Sequence, residues 1–287
     1  MREETKQNIG ETVEQTIEAA EEIVCHPLTK RLARFGFLIK GGLFIVIGVL
    51  AILATLGVKP GKLAGPGGAL AAIAQASYGR ILLIIFIIGA VGHGVWNILR
   101  GVADVDEAGG GVMGVIKRGI AVGVGIFYLG LAWTSWEIVY TAHVQNIDSA
   151  IPRTLTSIML ALPFGVILVL ITGLSVIGAG IHECYSGVTG KFRESFKLYK
   201  AGENELKIIT ILGLLSFTAR ALIFGLMGYF FITAAIYYNP NEAVGLDGAL
   251  WALALKGYGK ILLLFAAVGL LCHGILALYE AKYRRIS

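Results

Sequence analysis

The chain has 287 residues, of which 56% are apolar and only 15% are charged, and its mean hydropathy is +0.76. This composition excludes an ordinary soluble domain, and 39 glycines without a collagen period or a low-complexity run exclude a fibrous or disordered protein. The formal net charge of +5 falls between apolar blocks, so it indicates membrane topology rather than nucleic-acid binding.

The N-terminal segment is acidic. Residues 1–24 contain seven glutamates, and apolar side chains recur near helical spacing at Ile9, Val13, Ile17 and Val24. This pattern predicts a cytoplasmic acidic amphipathic helix within residues 1–30, ended by Pro27. An anionic membrane surface would repel such a helix, so it either docks on a protein partner, a second copy or the chain's own basic linker, or stays solvated.

Six stretches free of Asp, Glu, Lys and Arg follow, and each can supply a spanning helix of about 20 apolar residues. They cover residues 41–58, 81–99, 119–136, 154–182, 221–241 and 261–279. The fourth is too long for one span, and Pro163 divides it into a short segment and a spanning helix. With the N-terminus inside, 18 basic residues lie on the inner side and six on the outer side. This predicts a multi-pass protein with both termini in the cytoplasm.

A repeat relates parts of the chain. The sequence GALAAIAQASYGRILL at 68–83 matches GALWALALKGYGKILL at 248–263, an offset of 180 residues, and residues 163–168 match more weakly. Basic residues mark the first helix of each unit at Lys40-Gly41, Lys117-Arg118-Gly119 and Arg220-Ala221. We therefore expect an all-α protein with three parallel two-helix repeats at 31–103, 112–187 and 207–285. Each repeat has a short outer amphipathic helix, and together they form a pseudo-threefold six-helix bundle.

These repeats resemble the DUF1206 family, bacterial membrane proteins of unknown function that are built from tandem two-helix units. The resemblance rests on the basic-Gly starts, the Tyr/Phe-Gly-Arg/Lys starts of the second helices, and Gly89, Gly92 and Trp96. The middle unit departs from the pattern because no basic residue follows Gly165. The resemblance implies the bacterial cytoplasmic (inner) membrane and carries over no activity or functional residue.

Each second helix carries a stripe of polar residues in its inner half. Counted from Gly79, Gly165 and Gly259, positions 14, 18 and 21 lie on one helix face. The candidate cavity-lining residues are His93, Asn97, Arg100, Glu183, His273 and Glu280. One interpretation is a polar, cytoplasmic-facing cavity that passes or binds a small solute or ion. The alternative is that the histidines join helices while the charged groups snorkel to the interface.

Other readings of the histidines and cysteines remain open. Paired imidazoles on two helices can hold a haem, although the chain has no Cys-x-x-Cys-His motif, so we expect no cofactor. Cys25, His26, His182 and Cys184 could form a metal site if the fold brought them together. No nucleotide-binding or hydrolase motif occurs, and we expect no enzymatic activity.

The linker at 188–206 interleaves basic and aromatic residues. Lys191, Arg193, Lys197 and Lys200 alternate with Phe192, Phe196 and Tyr199. Beside a spanning helix, this pattern predicts an amphipathic segment bound to anionic lipid headgroups rather than to nucleic acid. Together with the acidic N-terminus, the linker supports a rival function, a non-catalytic membrane scaffold that recruits partners.

Overall fold

A computed structural model describes residues 27–58, 61, 63–105, 108–141, 148, 150–196, 199, 202–255 and 257–284. The acidic helix predicted at the N-terminus, together with Cys25 and His26, falls almost wholly outside these residues, as do Lys197 and Lys200.

Helices make up most of the described chain. Six are long and apolar enough to cross a membrane: α1 (Pro27–Thr55), α3 (Gly79–Val102), α4 (Val112–Thr141), α6 (Gly165–Thr189), α7 (Glu203–Ile236) and α9 (Gly259–Tyr283). One short helix lies between the two spans of each unit. These short helices are α2 (Pro66–Ala74), α5 (Ala150–Leu160) and α8 (Leu246–Ala254). The six-span, all-α prediction is confirmed. We call the end of the bundle with Pro27 and Arg284 the terminal face, and the end with α2, α5 and α8 the short-helix face.

In the first two units, the glycine that starts the second helix is required for a steric reason. A Cβ atom on Gly79 would clash with the Ile73 carbonyl oxygen, and one on Gly165 would clash with the Met159 carbonyl oxygen. Since real Cβ atoms do not approach other atoms so closely, only glycine allows the chain to turn tightly from the short helix into the span.

The tightest helix pairs join neighbouring units, because α3 packs on α4, α6 on α7, and α9 on α1. Each pair crosses where two glycines meet: Gly94 with Gly125, Gly173 with Gly228, and Gly274 with Gly41. A Cβ on Gly125, for example, would lie 2.6 Å from the Gly94 carbonyl oxygen. Small residues allow such close backbone approach between spanning helices. The last pair joins the end of the chain to its beginning and thereby closes the pseudo-threefold relation.

The middle unit differs from the other two. In the first and third units the two spans pack on each other, α1 on α3 and α7 on α9. In the middle unit, α4 and α6 share no comparable interface in the described chain. The spans therefore form a ring with one lateral opening, between α4 and α6. Gly119 and Gly123 of α4 are not packing points in the described chain, because a Cβ at either position would meet nothing within 4 Å.

Candidate functional site

The spans surround a cavity of about 870 Å³. This volume lies within the range of roughly 300–1,000 Å³ that is usual for small-molecule sites. All six candidate residues, His93, Asn97, Arg100, Glu183, His273 and Glu280, lie along its wall. The two histidines thus face one shared cavity, although they belong to different units.

Two partly buried ion-pair groups occupy the terminal half of the cavity. In the first, Lys40 Nζ on α1 donates to Glu280 Oε2 on α9 at 3.0 Å, and Arg284 donates to the other oxygen of Glu280 at 2.9 Å. The side chains of these three residues are 12–19% exposed. Lys40 and Arg284 also lie over the Phe37 ring, at 5.9 and 5.1 Å from its centroid. Glu280 therefore joins two cations, and it does not snorkel to solvent.

The second group centres on Arg220 of α7, which pairs with Glu183 on α6. Its other terminal nitrogen lies 3.3 Å from His273 Nε2, and His273 Nδ1 lies 3.0 Å from the Ser216 hydroxyl. A guanidinium group can only donate, so Nε2 accepts and the proton of a neutral His273 is on Nδ1. Arg220 thus links three helices inside the bundle.

His93 has a different environment from His273. Its ring meets Phe37 and Tyr128 edge-on, with centroids 5.0 and 4.5 Å apart. The His93 Nδ1 atom is buried and has no hydrogen-bond partner among the described residues. Asn97 donates to the His93 carbonyl oxygen at 2.7 Å, within the same helix. Unlike His273, His93 therefore keeps a ring nitrogen for a further polar contact.

The first and second units are also linked by a basic residue, as the other two pairs of units are by Lys40 and Arg220. Arg118, at the start of α4, donates to the carbonyl oxygens of Gly101 and Val102 at the end of α3, at 2.8 and 2.7 Å. In all three pairs, a basic residue in the first helix of one unit thus bonds to the second helix of the preceding unit.

The cavity becomes apolar toward the short-helix face. Its wall there consists of Phe44, Val124, Phe127, Leu131, Ile223, Phe224, Met227 and Leu270. At the far end, Asp148 accepts hydrogen bonds from the backbone N–H groups of Gly65, Gly67 and Gly68, at 3.0, 2.6 and 2.7 Å. It thereby caps α2. Burial raises the pKa of the Asp148 carboxyl, the nearby Asp247 acts in the same direction, and the three N–H groups oppose them.

The basic linker adopts a form that the sequence did not indicate. Residues Lys191–Ser195 form a 3₁₀ helix across the terminal end of the cavity, and Phe192 and Phe196 are buried against the bundle. The Phe192 ring stacks on Phe217 with centroids 5.0 Å apart and covers Gly213. Lys191 lies over the Tyr185 ring at 4.9 Å, and Arg193 donates to the Gly190 carbonyl oxygen. Phe192 and Phe196 therefore hold the linker on the bundle, whereas Tyr199 is exposed.

The described histidines and cysteines are not arranged in the way that either the haem or the metal interpretation requires. Both ring nitrogens of His273 already have protein partners, so neither is left for an axial bond to haem iron. Among the described residues, no group of three or more His, Cys, Asp or Glu side chains could hold a metal ion. His182 lines the cavity with its Nε2 3.5 Å from the Ser186 hydroxyl, and Cys184 is exposed.

Comparison with known proteins supplies the family. The model of a domain of unknown function, DUF1206, matches residues 35–104 and 215–284, which are the first and third units. The chain is also 31% identical over 263 residues to the uncharacterized protein YxxB of Bacillus subtilis (strain 168), which covers 91% of this chain and 93% of the relative. This chain belongs to the DUF1206 family. No solved structure matches this DUF1206 protein significantly.

Several residues in the site of this DUF1206 chain were not among the predicted candidates. In the sequence, Lys40 and Arg220 stand out only as the starts of units, whereas in the structure both line the cavity. Their equivalence at an offset of 180 residues was the available signal, because it places a cation at the same level in both units. Phe37, Tyr128 and Asp148 carried no comparable sequence signal.

Proposed function

We propose that this DUF1206 protein is a non-enzymatic membrane protein that binds and passes a small charged solute or ion through its central cavity. The observation that carries the proposal is the partly buried charged layer formed by Lys40, Glu280, Arg284, Arg220 and Glu183 around a cavity of about 870 Å³. Ionisable groups inside a bundle are costly unless they face one another or water, so their concentration on one cavity favours a functional role.

The balance of charge favours an anion. Among the described side chains, six basic residues line the cavity (Lys40, Arg100, Lys117, Lys191, Arg220 and Arg284), against four acidic ones (Asp148, Glu183, Glu194 and Glu280). The acidic side chains Glu183 and Glu280 are already paired, whereas Lys117 has no ion-pair partner among the described residues. An anion would therefore be attracted to the terminal half of the cavity.

A flux assay with a matched pair of variants tests the proposal. Purified protein is reconstituted into liposomes loaded with chloride, inorganic phosphate, succinate or potassium, and efflux is compared with that of protein-free liposomes. We expect at least one anion to leave faster than potassium. N97W, which fills the cavity wall, should lower that efflux at least tenfold, whereas V95W, on the exposed face of α3, should leave it unchanged. No efflux above protein-free liposomes, or equal efflux for the two variants, contradicts the proposal and favours the scaffold.

The proposal also orients the protein in the bacterial inner membrane. The 18 basic residues assigned to the inner side, against six on the outer side, support a cytoplasmic terminal face. A C-terminal fusion to a fluorescent protein should therefore fluoresce in cells, and a fusion to alkaline phosphatase at the same position should be inactive. An active phosphatase fusion contradicts this orientation.

A further inference from the structure

The opening between α4 and α6 exposes the cavity to the side of the bundle. The α4 wall contributes Lys117, Val124, Phe127 and Leu131 to the cavity, and the α6 wall contributes His182, Glu183 and Ser186. These two helices share no comparable interface in the described chain, so helix packing does not close the cavity on this side. The ring is thus open on the side where a lipid would lie.

The polarity of the cavity wall changes with depth in the membrane, from charged near the terminal face to apolar further in, as the polarity of a phospholipid changes from headgroup to acyl chain. Lys117 lies near the terminal face, and Val124 and Leu131 follow on the same wall of α4 after seven and 14 residues. At 1.5 Å per residue, these positions lie about 10 and 21 Å deeper in the membrane. Charged groups therefore lie near headgroup depth and apolar groups lie at acyl-chain depth, as in one leaflet of a bilayer.

The charged end fits an anionic headgroup. Lys117, Lys191 and Arg284 line the terminal end of the cavity together with the acidic Glu194, and Arg284 is paired with Glu280. Lys191 is held over the Tyr185 ring, so its ammonium group is positioned rather than free to follow solvent. A cationic cluster at headgroup depth attracts anionic lipid.

We propose that an anionic phospholipid from the leaflet at the terminal face enters the cavity between α4 and α6. Its headgroup lies against Lys117 and Lys191, and an acyl chain lies along Val124, Phe127 and Leu131. This inference deepens the proposed function, since it names the class of ligand and the route by which it reaches the same cavity.

Native mass spectrometry of the full chain with added lipid tests the inference directly. We expect one tightly retained phosphatidylglycerol per protein, with an affinity at least tenfold higher than that of phosphatidylcholine. V124W, which narrows the opening on the cavity side, should lower this affinity at least tenfold. I126W, two residues away on the exposed face of α4, should leave it unchanged. Equal retention of the two lipids, or equal affinities of the two variants, overturns the inference.

A charge variant keeps the test valid should V124W fold poorly. K117Q changes an exposed side chain at the cavity and should weaken phosphatidylglycerol binding about tenfold, whereas K260Q, exposed on the short-helix face, should not. Unchanged binding in K117Q overturns the inference. Inorganic phosphate should not displace the lipid at equal concentration. If it does, the cavity recognises a free anion, and the lipid inference fails while the proposed function stands. If the lipid is retained but no solute leaves the liposomes, the proposed passage of solute fails while the lipid inference stands.

Discussion

Lys40 and Glu280, 240 residues apart in the sequence, form a 3.0 Å ion pair that joins the first span to the last. Arg220 and Glu183 make the corresponding link between α7 and α6. Arg118 makes it between α4 and α3 by donating to backbone carbonyl oxygens. The units are therefore linked in a cycle, each through a basic residue of its first helix, and these links enclose the charged half of the cavity.

Glu280 is bonded to two cations, so replacing Glu280 should destabilise the protein more than replacing Lys40 does. E280Q leaves Lys40 and Arg284 without their anion and should lower the free energy of unfolding by about 2 kcal/mol, since losing the anion of a partly buried pair leaves two cations that only solvent compensates. K40M leaves Glu280 with Arg284 and should cost about 1 kcal/mol. Unfolding titrations in SDS–detergent mixtures measure both values. A larger loss for K40M than for E280Q would contradict the arrangement.

Two glycines on α4 provide a matched test of the helix crossings. G125A places a Cβ 2.6 Å from the Gly94 carbonyl oxygen and should destabilise the protein by about 1–3 kcal/mol through overpacking. G123A adds a methyl group in open space and should stabilise the helix by about 0.5–1 kcal/mol. Thermal unfolding in detergent compares the two variants. Equal midpoints would show that Gly125 is not a contact point.

Asp148 should be sensitive to loss of its second carboxylate oxygen. D148N cannot accept from all three of Gly65, Gly67 and Gly68, so we expect a loss of about 1–2 kcal/mol in the free energy of unfolding. Thermal unfolding at neutral pH checks this. The midpoint of D148N should be lower than that of the wild type, whereas the midpoint of E137Q, which changes an exposed side chain on α4, should be unchanged.

The pH dependence of Asp148 follows from its raised pKa. Between the ordinary carboxyl value of about 3.9 and the raised value, the folded protein binds more protons at this site than the unfolded chain does. Stability from this group therefore falls as pH rises through that window. D148N should lack this component of the slope in a titration of the unfolding midpoint, and an identical slope in wild type and D148N would contradict the assignment.

Phe192 should control access to the cavity from the terminal face. Its ring packs on Gly213 and Phe217, and the segment that carries it crosses the terminal end of the cavity. In a background without Cys25, Cys184 and Cys272, F192A should speed the modification of N97C by a charged thiol reagent several-fold. V188A, exposed and outside the cavity wall, should have no such effect. Slower or unchanged modification in F192A would contradict this role.

The sequence predicted the spans well because each of them is a long apolar stretch bounded by charges, prolines or glycines. It also identified the polar stripe, since His93, Asn97 and Arg100 share one helix face in any α-helix. The opening beside α4 could not be predicted, because the glycines at 119 and 123 have the same spacing whether they pack or face open space. The burial of Phe192 and Phe196 could not be predicted either, because it depends on tertiary contacts with α7 and α9.

The central claim is that the polar stripe of α3 faces a water-accessible cavity inside the bundle. In the cysteine-free background, the rates of modification of N97C and V95C by a membrane-impermeant charged thiol reagent compare a cavity position with an exposed position two residues away on the same helix. The account predicts that N97C reacts at least tenfold faster than V95C, because a thiol in lipid does not ionise. Equal rates, or an unreactive N97C in folded protein, would mean that the bundle is sealed and would contradict the account.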